Sequence, residues 1–220
     1  MMQKDELGKV CERPPPMPPM SPFEDDYIRF IVMTCKGRTH FVEDLAEIPR
    51  LVESFDNFTD AGKFQSTSYK NAQQAWQLAG DCATVQMEDD IILCDNFYNK
   101  IMKVIAERPH DVIQFYSMRK KDLTVGSRYE YGGNFLCHLC YYLPQGMAKE
   151  VYKHSLEFED SCEYGEHRSP NDLVTRSYFQ KHKIKYWLHI PNLVDHKVGK
   201  SMIDPRRSSK RQSLTFKKGI

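Results

Sequence analysis

Six residues with the pattern of a buried strand run straight into three acids. Cys82-Ala83-Thr84-Val85-Gln86-Met87 is mostly apolar and carries β-branched residues, Glu88-Asp89-Asp90 follows directly, and a second apolar run, Ile91-Ile92-Leu93, comes after. A short run of that composition fits a strand. Carboxylates at the end of a buried strand are costly unless a cation offsets them. The hard oxygen donors of Glu and Asp suit Mg2+ or Mn2+, and open α/β folds gather ligands where strands end. Side chains alternate along an extended chain, so Glu88 and Asp90 share one side and Asp89 takes the other. An acidic turn between two strands explains the triplet equally well when it is taken alone.

The chain has 220 residues, enough for one substantial α/β domain or two small ones. Basic and acidic residues nearly cancel, to a net charge of +1, so overall charge points to no partner. The opening residues lack the basic and apolar regions of a secretory signal, and no apolar run approaches the roughly 18–20 residues of a membrane span. A soluble, reduced, cytoplasmic protein is expected. Cys137-His138-Leu139-Cys140 has CxxC spacing, but no second pair accompanies it and the run from Phe135 to Leu143 is apolar. Buried thiols acting as small hydrophobes are the better reading.

Arg13-Pro14-Pro15-Pro16-Met17-Pro18-Pro19-Met20-Ser21-Pro22 can form neither helix nor central strand, so residues 1–24 read as a Pro-rich leader or surface strap. Tyr27–Met33 is the first strand, ending in the polar turn Thr34-Cys35-Lys36-Gly37-Arg38, where basic residues are placed to meet phosphate. Residues 41–55 have apolar positions at helical spacing, bounded or interrupted by Pro49, and a second helix spans Tyr69 to Leu78 with Gly80 as its stop. Asp95 to Glu107 reads as an amphipathic helix with Asp95 as N-cap and Phe97, Ile101, Val104 and Ile105 as the buried stripe. Strands follow at 111–116 and 134–143, with a polar, mobile loop at 117–134 between them. Helices are expected from Gln145 to His154 and from Ser169-Pro170-Asn171-Asp172 to about His182, and a last strand at Lys185–Ile190. This alternation predicts an α/β fold with a mostly parallel central sheet flanked by helices.

The order of these parts resembles that of the GT-A-type nucleotide-sugar glycosyltransferases, most closely the small single-domain members found among bacterial saccharide-modifying enzymes and in bacteriophage genomes. The likeness covers roughly residues 25–205. It rests on the strand ending in Glu88-Asp89-Asp90 and on Pro191-Asn192-Leu193-Val194-Asp195-His196-Lys197-Val198-Gly199-Lys200-Ser201. It implies one GT-A-like (Rossmann-like) domain over 25–205, with the leader before it and a basic tail, 206–220, after it. It also implies a divalent Mn2+ or Mg2+ bridging the phosphates of a nucleotide-sugar donor, expected to be a uridine diphosphate sugar such as UDP-glucose. On that resemblance Asp90 and Glu88 are the metal ligands with His196 as a further one, while Asp89 faces the ribose or donor sugar. Lys200 and Ser201 contact phosphate, and Thr34, Lys36, Arg38 and Asp56 contact the nucleotide. Asp172, at a helix start, is the carboxylate that deprotonates the acceptor hydroxyl if the enzyme inverts; a plain N-cap is the other reading of it, and in a retaining enzyme it becomes a donor-sugar contact.

Arg206-Arg207-Ser208-Ser209-Lys210-Arg211-Gln212 and Lys217-Lys218 make a stretch without acids after Asp204. Such a run reads as a solvated tail, and basic tails also neutralise phosphates. With Arg119, Lys120, Lys121 and Arg128 it admits a polyanionic acceptor, for example DNA with hydroxymethylated pyrimidines, whose flipped base Tyr129, Tyr131 and Phe135 would stack. A saccharide or lipid-linked acceptor is the alternative. A catalytically inactive binding module and a metal-dependent nucleotidyl- or phosphoryl-transfer enzyme share the same acid-tipped strand.

Overall fold

The computed structural model describes residues 28–35, 38, 42–43, 45–56, 64–161, 170–199 and 211–219. The leader 1–24, Lys36, Lys200 and Ser201, and the side chain of Asp56, lie outside that description. Nine strands are present among the described residues: β1 (Arg29–Cys35), β2 (Val52–Asp56), β3 (Thr84–Glu88), β4 (Ile91–Leu93), β5 (Val112–Gln114), β6 (Arg128–Tyr131), β7 (Cys140–Leu143), β8 (Lys185–Leu188) and β9 (Val194–His196). The helices are α1 (Phe64–Ala79), α2 (Phe97–Glu107), α3 (Asp122–Val125), α4 (Met147–Ser161) and α5 (Pro170–Lys181).

Seven strands form one sheet in the order β2-β1-β3-β7-β5-β8-β6, and β4 pairs with β9 in a separate ribbon. Five of the seven run the same way; β7, antiparallel to both β3 and β5, and β6, antiparallel to β8, run against them. The mostly parallel sheet is therefore present, with one reversed strand at its centre. All of β1 beyond Arg29 is buried, as expected of a strand covered on both faces. One face packs on α2 through Phe97, Ile101, Val104 and Ile105, the stripe expected from the sequence. The other packs on α1, α4 and α5 through Tyr69, Trp76, Val151, Val174 and Phe179. No helix among the described residues is long and apolar enough to cross a membrane.

Several expectations about local structure are corrected. The helix over 41–55 is instead a helical turn at 42–43, a series of turns, and the edge strand β2. Pro49 lacks the N–H a helix needs, Arg50 turns left-handed at φ 55°, and Val52-Glu53-Ser54 pairs in parallel register with Ile31-Val32-Met33. Asp95 does not cap α2: Asn96 takes that position without a side-chain cap bond, and the Asp95 N–H donates to the Lys218 carbonyl at 2.8 Å. The loop expected to be mobile over 117–134 holds α3 and β6. At its end Gly132 lies so close to α5 that a Cβ there would sit 2.5 Å from the Phe179 Cβ and 2.6 Å from the Ile184 carbonyl. Only glycine fits that approach.

Candidate functional site

The acids stand at the carboxyl ends of β1 and β3, where Met33 is in register with Glu88 and Thr34 follows. β3 ends at Glu88, and a bend carries Asp89 and Asp90 into β4. Strand β4 then pairs with β9, Ile91 opposite His196, and the Lys197 N–H donates to the Asp90 carbonyl at 2.8 Å. That backbone pairing brings a histidine from late in the chain onto the acid cluster.

Donor atoms of Glu88, Asp90 and His196 all lie within 4.8 Å of one another. His196 Nδ1 meets the Lys197 carbonyl at 2.6 Å. A carbonyl only accepts, so Nδ1 carries a proton, and in the neutral ring the ligand atom is Nε2, which lies 3.4 Å from Asp90 Oδ2. His196 Nε2 and Asp90 Oδ1 are both buried with no hydrogen-bond partner among the described residues. Buried polar atoms are rarely left that way. The oxygen and nitrogen donors suit a divalent cation such as Mn2+ or Mg2+ and lie close enough together to share one, so the residues present fit a metal.

Asp89 behaves differently. Thr34 Oγ1 donates to its Oδ2 at 2.8 Å, and Arg38 Nη1 lies 3.0 Å from its Oδ1. Arg38 also reaches Asp90 Oδ2 at 2.7 Å. Glu88 and Asp90 come together, but the backbone bends at Asp89 and Asp90, and Arg38 bridges those two carboxylates. Asp89, Thr34 and Arg38, expected to meet the nucleotide, bond among themselves and form a wall that fixes Asp90. Burial pushes the Asp89 carboxyl up to about 6, against the opposing pull of Arg38 and Thr34. Glu88 is pushed up to about 8, first by burial, then by the charges of Asp90 and Asp172, with Arg211 and Arg38 acting the other way. Acids that resist ionisation for lack of counter-charge are what a cation relieves.

Asp172 is the third residue of α5, behind Pro170, and so is not the helix cap. Its Oδ1 accepts the His138 backbone N–H at 3.2 Å and lies 3.7 Å from His138 Nδ1. Its charge contributes to raising the Glu88 carboxyl. His138 is fully buried, its ring nitrogens have no partner among the described residues, and burial lowers its pKa, with Asp172 opposing.

The C-terminal stretch is not a solvated tail where it is described. The Ser213 N–H donates to Asp195 Oδ1 at 2.7 Å, Asn192 Nδ2 donates to Ser213 Oγ at 2.7 Å, and Phe216 packs against the core. Asp195 Oδ1 also accepts the His196 N–H at 2.9 Å, so the strap braces the residue next to the metal-facing histidine. Asp195, Asn192, Ser213 and His138 were not singled out from the sequence. The signal for the strap was Phe216, an aromatic that a solvated basic tail has no use for.

Three of the four cations suggested for a polyanion are engaged by two carboxylates, while Lys120 stays exposed. Arg128 pairs with Asp122 at 2.6 Å and with Glu130 at 2.6 Å, Lys121 with Glu130 at 2.5 Å, and Arg119 with Glu130 at 3.5 Å. Tyr129 stacks edge-on against Trp187, and Phe135 is a core residue with no exposure. The three aromatics expected to stack a flipped base do not form a pocket.

Neither a protein-family model nor a curated protein sequence matches the chain. Among solved structures, the crystal structure of A197 from STIV aligns with 88% of this chain and 96% of its own, at 12% identity and a TM-score of 0.43. A likeness that loose carries no argument, and the chemistry rests on the site itself.

Proposed function

We propose that the chain is a divalent-metal-dependent glycosyltransferase that moves a sugar from a nucleotide diphosphate donor, with a uridine diphosphate sugar as the expected one, to a hydroxyl acceptor. The observation that carries this reading is the convergence of Glu88, Asp90 and His196 with donor atoms left unpartnered in a buried setting. The resemblance of the acid-tipped strand and the Pro-x-Leu-Val-x-His segment to GT-A enzymes supplies the reaction class.

Bound between these residues, Mn2+ or Mg2+ supplies Lewis acidity that offsets the charge gathering on the leaving diphosphate. The chain's own groups do the rest. Arg38 and Thr34 fix the acid wall, the Lys197 carbonyl holds the His196 ring, Asp195 holds the His196 backbone, and Asp172 would serve as the base. In an inverting reaction the acceptor oxygen bonds to the anomeric carbon, its proton passes to an Asp172 carboxylate oxygen, and the bond from that carbon to the phosphate oxygen breaks. A saccharide hydroxyl is favoured over DNA as acceptor, because Asp122 and Glu130 engage three of the four cations of the 119–128 stretch.

A second reading has one observation behind it. Arg38 already pairs with two of the acids, as it would in a binding module that turns nothing over. Thermal shift with a panel of nucleotide diphosphates and sugar nucleotides, with and without Mn2+, tests both. Stabilisation by one nucleotide that needs Mn2+ and vanishes in Asp90→Ala supports the donor site, and release of free nucleotide diphosphate supports turnover. Stabilisation without Mn2+ and without turnover supports the module.

A further inference from the structure

The described cations near the acid cluster differ in one respect. Arg38 is committed, ion-paired to Asp89 and Asp90. Arg211 is not. Its Nε is buried without a hydrogen-bond partner, and no carboxylate among the described residues lies within ion-pair distance of its guanidinium.

Its position is nonetheless well determined. The Tyr116 hydroxyl donates to the Arg211 carbonyl. Two residues on, Ser213 is held by Asp195 and Asn192; then the Asn192 N–H donates to Thr215 Oγ1 at 3.3 Å, and the Lys218 carbonyl accepts the Asp95 N–H. Tyr116 follows Phe115, whose N–H donates to the Cys140 carbonyl, and Cys140 is in register with Met87, beside Glu88. Tyr116 and Glu88 thus stand at the same edge of the sheet, two strands or roughly 10 Å apart. The strap lies along that edge and is pinned to the segment that carries His196.

We propose that Arg211 is a phosphate-binding residue of the metal centre, its guanidinium taking the oxygens of a phosphoanhydride that a cation at Glu88, Asp90 and His196 holds from the other side. The proposal rests on the metal reading of that cluster. A guanidinium presents planar paired donors that match phosphate oxygens, and an arginine set beside acids yet bonded to none of them has its donors to spare for an anion. The strap, on the sequence a candidate contact for nucleic acid or membrane, here belongs to the donor side of the site. The second role of the strap follows from the same contacts: Ser213 braces Asp195, and Asp195 braces His196, so metal ligand and phosphate ligand are positioned by one segment.

The test uses the full chain with Mn2+ and inorganic pyrophosphate as probes. Mn2+ binding is read by electron paramagnetic resonance, and pyrophosphate binding by calorimetry at saturating Mn2+. In Arg211→Met, Mn2+ affinity stays within about twofold of wild type while pyrophosphate affinity falls at least about tenfold; Arg211→Lys, which keeps the charge but not the fork, recovers part of that loss. Equal pyrophosphate affinity in wild type and Arg211→Met overturns the proposal and leaves the metal centre standing. Wild type that binds Mn2+ but no pyrophosphate does the same. Wild type that binds no Mn2+ removes the metal centre, and the proposal with it. Arg211→Lys keeps the test open should Arg211→Met fail to fold.

Discussion

Around Glu130 nearly every charge has a counterpart. Lys121, Arg128 and Arg119 converge on one of its oxygens, and Arg128 turns its far side to Asp122. Burial alone would raise the Glu130 carboxyl, but the bonds from Lys121 and Arg128 and the charges of Lys121 and Arg119 outweigh it and hold the group at about 2. Around Glu88 the reverse holds. Burial and the nearby acids Asp90 and Asp172 push it up to about 8, and the cations in reach do not offset them. Burial pushes both carboxyls up, and at Glu88 it is the first cause of the shift. What separates them is whether the protein supplies the counter-charge itself. Where it does, the carboxylate is held ionised; where it stops short, the donor atoms of Glu88, Asp90 and His196 converge in a set that fits a cation, whereas the atoms without a hydrogen-bond partner at the first cluster, Asp122 Oδ2 and Arg119 Nη1, belong to groups already ion-paired.

That contrast can be broken by substitution. The largest effect is expected at the unsaturated cluster: Asp90→Ala abolishes Mn2+-dependent donor turnover and leaves the fold intact by circular dichroism. Full activity in that variant would falsify the metal assignment. Asp172→Asn lowers turnover by at least about 10²-fold if it takes the acceptor proton. Unchanged turnover with a loss of stability would instead make Asp172 a brace for His138.

At the saturated cluster the effect falls on stability. Glu130→Gln leaves three cations without their shared carboxylate and costs about 3 kcal/mol, as the breaking of buried pairs does, measured by urea unfolding at pH 7, with Mn2+ affinity unaltered. Loss of Mn2+ binding with stability retained would erase the distinction between the two clusters.

The acid limb of stability sharpens it further. Glu130 has a folded value of about 2 against an ordinary 4.5, so its contribution is full above 4.5 and is lost as pH falls towards 2. That loss is about 2–3 kcal/mol, and Glu130→Gln removes it. A wild-type curve no steeper than the variant's between those values would mean that Glu130 is not held by its cations.

His138 carries the smallest effect. Its pKa is lowered from 6.5 by burial, so below about 6.5 the unfolded chain takes up a proton that the folded chain refuses. Stability therefore declines as pH drops through that range, and His138→Phe flattens the slope. Thermal unfolding at closely spaced pH values between 7 and 5.5 reads it.

Much of the fold was legible in the chain because it is written in local patterns. The stripe of α2 sits where the 3.6-residue period puts it, and β1 and β3 are where the apolar runs are. Residues 41–55 were misread because their apolar spacing satisfied a helix while their partner was the edge of a sheet, and a strand's partner is not visible in its own sequence. The same holds for β9: Val194-Asp195-His196 is too short to announce a strand, and it becomes one by pairing with β4.

Charge was the least legible property. Arg119, Lys121 and Arg128 read as a basic patch, and Arg211 as part of a free tail, because the sequence shows how many charges a segment carries and not which others they meet. The chain by itself determined an α/β domain with an acid-tipped strand at the ligand-binding end of its sheet. Only the tertiary structure decided how His196, named on the family resemblance, reaches the acid cluster through the pairing of β4 with β9, that Glu130 engages three cations of the patch, and that Arg211 sits on a segment pinned beside Asp195. The reason is that charge interactions depend on distance and on the surrounding dielectric, and both are properties of packing between segments far apart in the chain.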